Sequence, residues 1–576
     1  MSRQTFEEVL GKRDVKAIWG SGFDKALPVI PQNYVLGSVI PAVLFLMRWG
    51  HRRGKGKFAE RFGGEASVSD IGRLLIQESD YFQGFNEEWH ESVLADLLLA
   101  YCFENRKHRL GRSEPVQRIF ATHYFSSCVD LPQVFAHLRR VPEMLTALMV
   151  QQQTGPVLTT QPKGHYAIGS GFNENMILEI FGQGTHIDGE PNNLRSDRFD
   201  EEAEVGIDQL LAIRIAMLLG EAPSKASGEK PSIPNQLPVA TKAARFLFED
   251  FNVFVRSYSE SIPRQSLVPL IESCLAVGLS NIFLSTLGIL LDWANDGFIP
   301  TADRQYPWGL FVDCSASNDE KLRRYSEESV DDLLHRLSRF AICSMCMRIL
   351  DQRAEVERFP QLPASTPDPT DRLNYLGDLL FERVEEGRGL RRDLRRDCLR
   401  LADALREEGE QDVVTLLENE EEHPAWRMAE ATVYLMGEKQ QGAVIRKFLD
   451  SSLMMDLPNG LGRKRKRVLK GQGTERRSIV LTNTALDFLV HRHLRKSASG
   501  TGPKDLSLNG FINILKERYG LHVDESPEGM SIPDEHLRKN RAFLERRLRD
   551  LGLFVGVNDA EAMKRLKQRF EVETDC

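Results

Sequence analysis

Apolar positions over residues 1–350 recur at spacings of three and four, the period of α-helices laid against a core. Val93 to Phe103, Val141 to Gln151, Glu204 to Leu219, Lys242 to Val255 and Val330 to Leu350 all carry it. Strand signals are scarce, the best being Leu310-Phe311-Val312-Asp313-Cys314-Ser315. Polar Asn192 to Glu201 and the Ser-, Pro- and Lys-rich Ala222 to Gln236 read as loops, so this body is expected to divide near 190–240.

Glu357 to Asp371 contains Pro360, Pro363, Pro367 and Pro369, which exclude regular helix and mark 351–372 as a linker. Residues 373–455 return to the helical period, first in the stripe Leu373, Leu376, Leu379, Leu380 and Val384. Leu399 to Leu417 and Ala425 to Phe448 continue it, with no repeat of fixed length. Leu457 to Thr474 carries a cationic run between glycines, and 456–478 is expected as a second, basic linker.

Residues 479–576 are patterned again. Helices fit Thr484 to Arg495, Leu508 to Tyr519 and Asp534 to Leu551, a turn fits Ser497 to Pro503, and Ile479 to Leu481 and Leu553 to Val557 fit strands. Three short helices followed by a strand predict the winged-helix variant of the helix-turn-helix. In the second helix Phe511, Ile514 and Leu515 share a face, leaving Asn509, Asn513 and Lys516 opposite. In the third, Leu537, Leu544, Leu548 and Leu551 point one way, and Arg538, Lys539, Arg546 and Arg549 the other. The expected fold is mainly α: a multi-domain helical protein with a C-terminal winged-helix-like module.

Charge sharpens this division. The net charge of −8 over 576 residues conceals 24 Lys+Arg against 16 Asp+Glu in residues 461–576, and 51 against 67 in the rest. A basic end on an acidic body suits nucleic acid, although such segments also bind acidic proteins. Eight cysteines without a regular framework, and no signal peptide, point to a reducing cytoplasm. Val39 to Trp49 is too short to span a bilayer and contains Pro41. Cys274 to Leu291 is interrupted by Gly278, Ser280, Asn281, Ser285 and Thr286. Both are expected as buried helices, with no membrane partner.

The nucleic-acid-binding candidates follow from the need for phosphate-neutralising cations around a polar, groove-facing helix. They are Arg463, Lys464, Arg465, Lys466, Arg467, Arg538, Arg546 and Arg549 for phosphates, and Asn513 and Lys516 for the groove, with Glu517 opposing close insertion. Elsewhere the chemistry is incomplete. His51-Arg52-Arg53-Gly54-Lys55-Gly56-Lys57 lacks the spacing of a nucleotide loop, and Gly169-Ser170-Gly171 and Gly182-Gln183-Gly184 lack a third glycine. Cys343 and Cys346 sit in an apolar helix without a second pair, and His491-Arg492-His493 and His186-Ile187-Asp188 lack further ligands. Buried cysteines and solvated or capping histidines suffice, and no metal or cofactor is expected. Arg118 and His123 have the R-x4-H form of some helical ribonucleases, a match that chance also supplies in so arginine-rich a chain. No hydrolase elbow, zinc-protease helix, kinase set or helicase motif is readable, so the reading leans away from an enzyme.

An acidic helical body, a Pro-rich break, a charged helical segment and a basic winged-helix-like end resemble accessory proteins of multigene bacterial phage-defence loci. Leu310 to Ser315, Leu322-Arg323-Arg324 and the helix from Arg538 to Leu553 carry the likeness. Within these loci the chain resembles the non-enzymatic subunit of unknown chemistry of the methylation-associated defence system. That resemblance implies a recognition or scaffolding role beside methyltransferase, kinase and ATPase subunits, and supplies no catalytic residues. Three functions stay open: a non-catalytic defence component that docks nucleic acid, DNA first, through its C-terminal module; a helical nuclease or toxic effector; and a pure protein scaffold.

Overall fold

The computed structural model describes residues 2–19, 25–27, 36–49, 67–104, 118–123, 126, 138, 140–154, 176–184, 205–219, 237–300, 306, 308–364, 368–469, 472–495, 505–556, 564–570 and 572. The basic cluster 51–57, Gly169 to Gly171, His186 to Asp188, the loops 192–201 and 222–236, and the turn 497–503 lie outside them.

The protein is mainly α. The first half contains α1 (Ser2–Leu10), α2 (Lys12–Ile18), α3 (Val39–Trp49), α4 (Val68–Glu78), α5 (Glu88–Tyr101), β1 (Phe103–Glu104), β2 (Arg118–Ile119), α6 (Val141–Thr154), α7 (Met176–Phe181), α8 (Ile207–Leu219), α9 (Thr241–Tyr258) and α10 (Arg264–Asp296). Then come β3 (Leu310–Phe311), α11 (Glu320–Arg336), α12 (Phe340–Val356), α13 (Thr370–Leu380), α14 (Glu385–Glu407), α15 (Gln411–Glu418), α16 (Pro424–Leu435) and α17 (Glu438–Ser452). The C-terminal part comprises β4 (Gly462–Leu469), β5 (Gln472–Ile479), α18 (Asn483–Leu494), α19 (Leu508–Tyr519), β6 (Leu521–His522), α20 (Asp534–Asp550), β7 (Phe554–Val555) and β8 (Arg565–Leu566).

Helix α10 is the axis of the fold. Its 33 residues include a stretch apolar and long enough to cross a membrane, but 94% of that stretch is buried inside the protein. Two of the polar residues that interrupt its sequence bond to neighbouring elements. Ser280 donates to the Ser452 carbonyl, and Asn281 donates to the Arg518 carbonyl and accepts from the Trp308 indole. Buried polar groups need such partners, and here they tie the axis to α17, α19 and the approach to β3.

Several expected helices are broken where the period alone runs on. Val330 to Leu350 is two helices joined by a 3-10 turn at Leu337–Arg339. Leu399 to Leu417 breaks at Gly409 and Ala425 to Phe448 at Gly437, whose φ of 83° and 91° favour glycine over any residue with a Cβ. Helix α12 ends at Val356, ahead of the first of the prolines after Glu357, yet α12 and α13 are tied together. Arg372 on α13 reaches back to Asp351 at 2.6 Å and to Glu355 at 2.6 Å on α12.

The C-terminal segment is interleaved with the body. β6 pairs in parallel with β3 through Leu310↔Leu521 and Phe311↔His522, and Ile479 bridges Val312 on the other side. Asn540 of α20 donates to the Val312 and Val523 carbonyls, both at 2.8 Å, and accepts the Cys314 N–H at 2.9 Å. A second tie is ionic. Asp250 on α9 is 3% exposed and receives Arg492, Arg518 and the Tyr519 hydroxyl at 2.8, 2.7 and 2.6 Å. One hydrophobic core runs from Phe6 to Val572 through both parts.

Candidate nucleic-acid interface

The segment 456–478, expected as a linker, is largely a two-stranded antiparallel ribbon. β4 and β5 pair from Gly462↔Ile479 to Leu469↔Gln472. Side chains alternate across a strand, so the cationic run divides between two faces. Lys464 lies opposite Arg477 and Arg465 opposite Arg476. Like charges in such register repel, and acids on flanking helices offset this. On one face Asp450 of α17 holds Arg477, one of its two contacts being 3.0 Å, and reaches Lys464 at 3.5 Å. On the other, Asp331 of α11 pairs with Arg476.

Arg463, Arg465 and Lys466 remain exposed, with no ion pair among the described residues. Arg467 belongs to β4, but its side chain lies outside the description. Arg476 and Arg477, which the sequence reading passed over, complete the ribbon. Their signal was the second charged run, Glu475 to Arg477, placed symmetrically about the glycines 471 and 473.

Helix α20 is built by its buried side, where Leu537, Asn540, Leu544 and Leu548 face inward. Asp534 and Glu535 in its first turn and Arg547 and Arg549 in its last suit the helix dipole. The outer face exposes Arg538, Lys539, Ala542, Arg546 and Arg549. Lys539 pairs with Asp319 at 2.6 Å, Arg546 reaches Asp550 at 3.9 Å, and Arg549 lies over the Phe554 ring at 5.3 Å. Arg547 links this helix to the ribbon's base, donating to the Leu481 carbonyl and to Asn483. Burial holds the Arg547 guanidinium below its ordinary pKa, opposed by Cys314 and Asp313, while the charge of Arg463 lowers it further. The first cation of the ribbon is therefore electrostatically coupled to the last turns of α20.

The second helix departs from expectation. Asn513 is exposed, but Lys516 pairs with Glu525, and with Glu517 and Asp524 nearby its pKa is raised, first by that hydrogen bond. A lysine in this acidic setting is poorly placed to meet phosphate. His491 and His493 are buried rather than solvated. His491 donates from Nδ1 to the Asp487 carbonyl and accepts the Arg569 N–H at Nε2, and His493 bonds to the Tyr519 hydroxyl. Cys343 and Cys346 are buried, and burial pushes the Cys343 thiol up to about 12. Among the described residues no three His, Cys, Asp or Glu side chains group as metal ligands. His123 is fully buried and donates from Nε2 to the Gln183 carbonyl at 2.9 Å, which gives a substrate no direct approach to its ring.

The strand and helices that carry the sequence resemblance meet in one place. Phe311, Leu322 and Leu537 form a small core with Ile532, from β3, α11 and α20 and the turn before α20. These features describe a mainly helical protein whose C-terminal part joins cationic surfaces to a helical body. The family of the methylation-associated defense system protein MAD7 matches residues 173–570, and the chain belongs to that family. It is a defence-system protein. No curated protein and no solved structure matches the chain.

Proposed function

We propose that this chain is a non-catalytic nucleic-acid-recognition component of its defence system, docking DNA on the ribbon and α20 while the helical body holds other subunits in the cytoplasm. The observation that carries the reading is the set of exposed cations Arg463, Arg465 and Lys466, which make no ion pair among the described residues, beside the outward arginines of α20. Arg476 and Arg477 are held by ion pairs to acids, whereas these three keep their charged ends free of ion pairs, so their mutual repulsion is one that a polyanion relieves.

Strand order supports a winged-helix reading. Leu508 donates to the Lys564 carbonyl at 3.0 Å and Leu566 to the Leu506 carbonyl at 2.9 Å, so the chain before α19 lies beside β8, which pairs with β7. The sequence α18, strand, α19, α20, β7, β8 is the element order of a winged helix, with β6 added. In that arrangement the third helix, α20, meets the groove, and Arg538, Arg546 and Arg549 take precedence over Asn513 and Lys516.

The test measures binding of the full-length protein to duplex DNA, single strands and RNA across a salt series, beside a variant with Arg463, Arg465 and Lys466 all changed to Gln. Each lost phosphate contact lowers the logarithmic salt slope by about 0.9, so three lower it by about 2.7. An unchanged slope and affinity would overturn the reading and leave a protein-docking role for this face.

A further inference from the structure

At the N-terminal end of α10 lies a cavity of about 420 Å3, lined by Gln183, Asp208, Gln209, Ser259, Pro263 and Arg264 among others. Sites for small ligands have this scale. Arg264, the first residue of the helix, is fixed at the wall by two of its donors. One terminal nitrogen donates to the Thr122 carbonyl at 2.7 Å and the other to Gln183 Oε1 at 2.9 Å. A guanidinium has five N–H donors, so three remain for a ligand.

Gln209 gives the second, independent sign. It is 2% exposed, and its Oε1 accepts the Gly206 N–H at 3.2 Å, yet its Nε2 has no hydrogen-bond partner among the described residues. A buried amide donor left unmet costs about 1–3 kcal/mol, and Gln209 belongs to the cavity lining, so a ligand acceptor that reached this nitrogen would recover it. The helix dipole also favours negative charge at this end of α10. Asp208 supplies the opposite polarity: it is buried, lines the same cavity and acts on Arg264 through its charge. Burial lowers the Arg264 pKa to about 10 despite Asp208, so the cation gains from a further anion.

We infer that this cavity binds a small metabolite bearing a phosphate or carboxylate group and a separate hydrogen-bond donor. The anionic group sits on Arg264, Gln209 and the start of α10, and the donor faces Asp208. The site is distinct from the cationic ribbon and does not depend on nucleic-acid binding.

Calorimetry on the full-length protein tests this with AMP as a phosphate ester, glutamate as a carboxylate, adenosine as a neutral control, and inorganic phosphate. Binding of AMP or glutamate with Kd of about 1 mM or tighter is expected, and whichever binds identifies the anion. Gln209→Glu, which keeps the volume and adds a charge, should weaken that binding at least tenfold, as should Arg264→Gln. Asp208→Asn should tighten inorganic phosphate, a gain that misfolding cannot produce. The inference fails if neither AMP nor glutamate binds, if adenosine binds as well as AMP, or if Gln209→Glu and Arg264→Gln leave binding unchanged while retaining the native circular dichroism.

Discussion

Asn540 is the place where joining the C-terminal segment to the body can be tested by removing one side chain. Its amide serves the Val312 and Val523 carbonyls and the Cys314 N–H, and it is fully buried. Asn540→Leu keeps the volume but removes all three bonds. Each is worth about 1 kcal/mol net, and burying orphaned backbone groups adds to that, so the loss should be about 3–5 kcal/mol. Amide exchange read by mass spectrometry localises the effect. Protection across 310–314 and 521–523 should fall by two to three decades, each 1.4 kcal/mol being about tenfold, and the urea midpoint should drop with it. If protection there falls less than tenfold, the two parts are not held together through this residue.

Two further perturbations follow from buried charge. Asp250→Ala leaves Arg492 and Arg518 without their shared carboxylate and should cost about 3–5 kcal/mol in thermal unfolding; a loss below about 1 kcal/mol would remove Asp250 as the second tie. His423 caps α16 by accepting the Ala425 N–H at Nδ1, and burial, with the charge of Arg391 next, lowers its pKa from 6.5 to about 4. The unfolded state then binds more protons between these values. Stability is full above pH 6.5 and declines as pH falls toward 4, by about 2 kcal/mol at pH 5. His423→Asn, which can still cap, should flatten that part of the stability–pH curve, and an unaltered curve would refute the assignment.

How much was legible in the chain depends on whether the forces were local. Val39–Trp49 was readable because its apolar period is intrinsic to the helix, and the face of α20 because leucines and arginines alternate at helical spacing. Leu310 to Ser315 was visible as a strand, but its partner Leu521–His522 lies some two hundred residues on and is too short to announce itself. The ribbon was missed for a different reason. A strand is normally recognised by one apolar face, whereas here both faces are polar and pack against Asp450 and Asp331. The same blindness hid the Asp250 hub, whose arginines stand 242 and 268 positions away.

These long-range ties bear on how the proposed interface would work. Arg477, 5% exposed, pins the ribbon to α17 through Asp450, while Ile479 and Asn540 pin its base and α20 to β3. The angle between ribbon and helix is thus set before any ligand arrives. A rigid pair of cationic surfaces loses little conformational entropy on docking, so more of the phosphate attraction appears as affinity than it would on a free basic tail. Helix α20 also packs through Leu537 on the small core of Phe311 and Leu322, beside the strand that Ile479 bridges. A basic linker would hold nucleic acid without fixing its place on the molecule; a ribbon anchored in this way would hold it at a set position against the helical body.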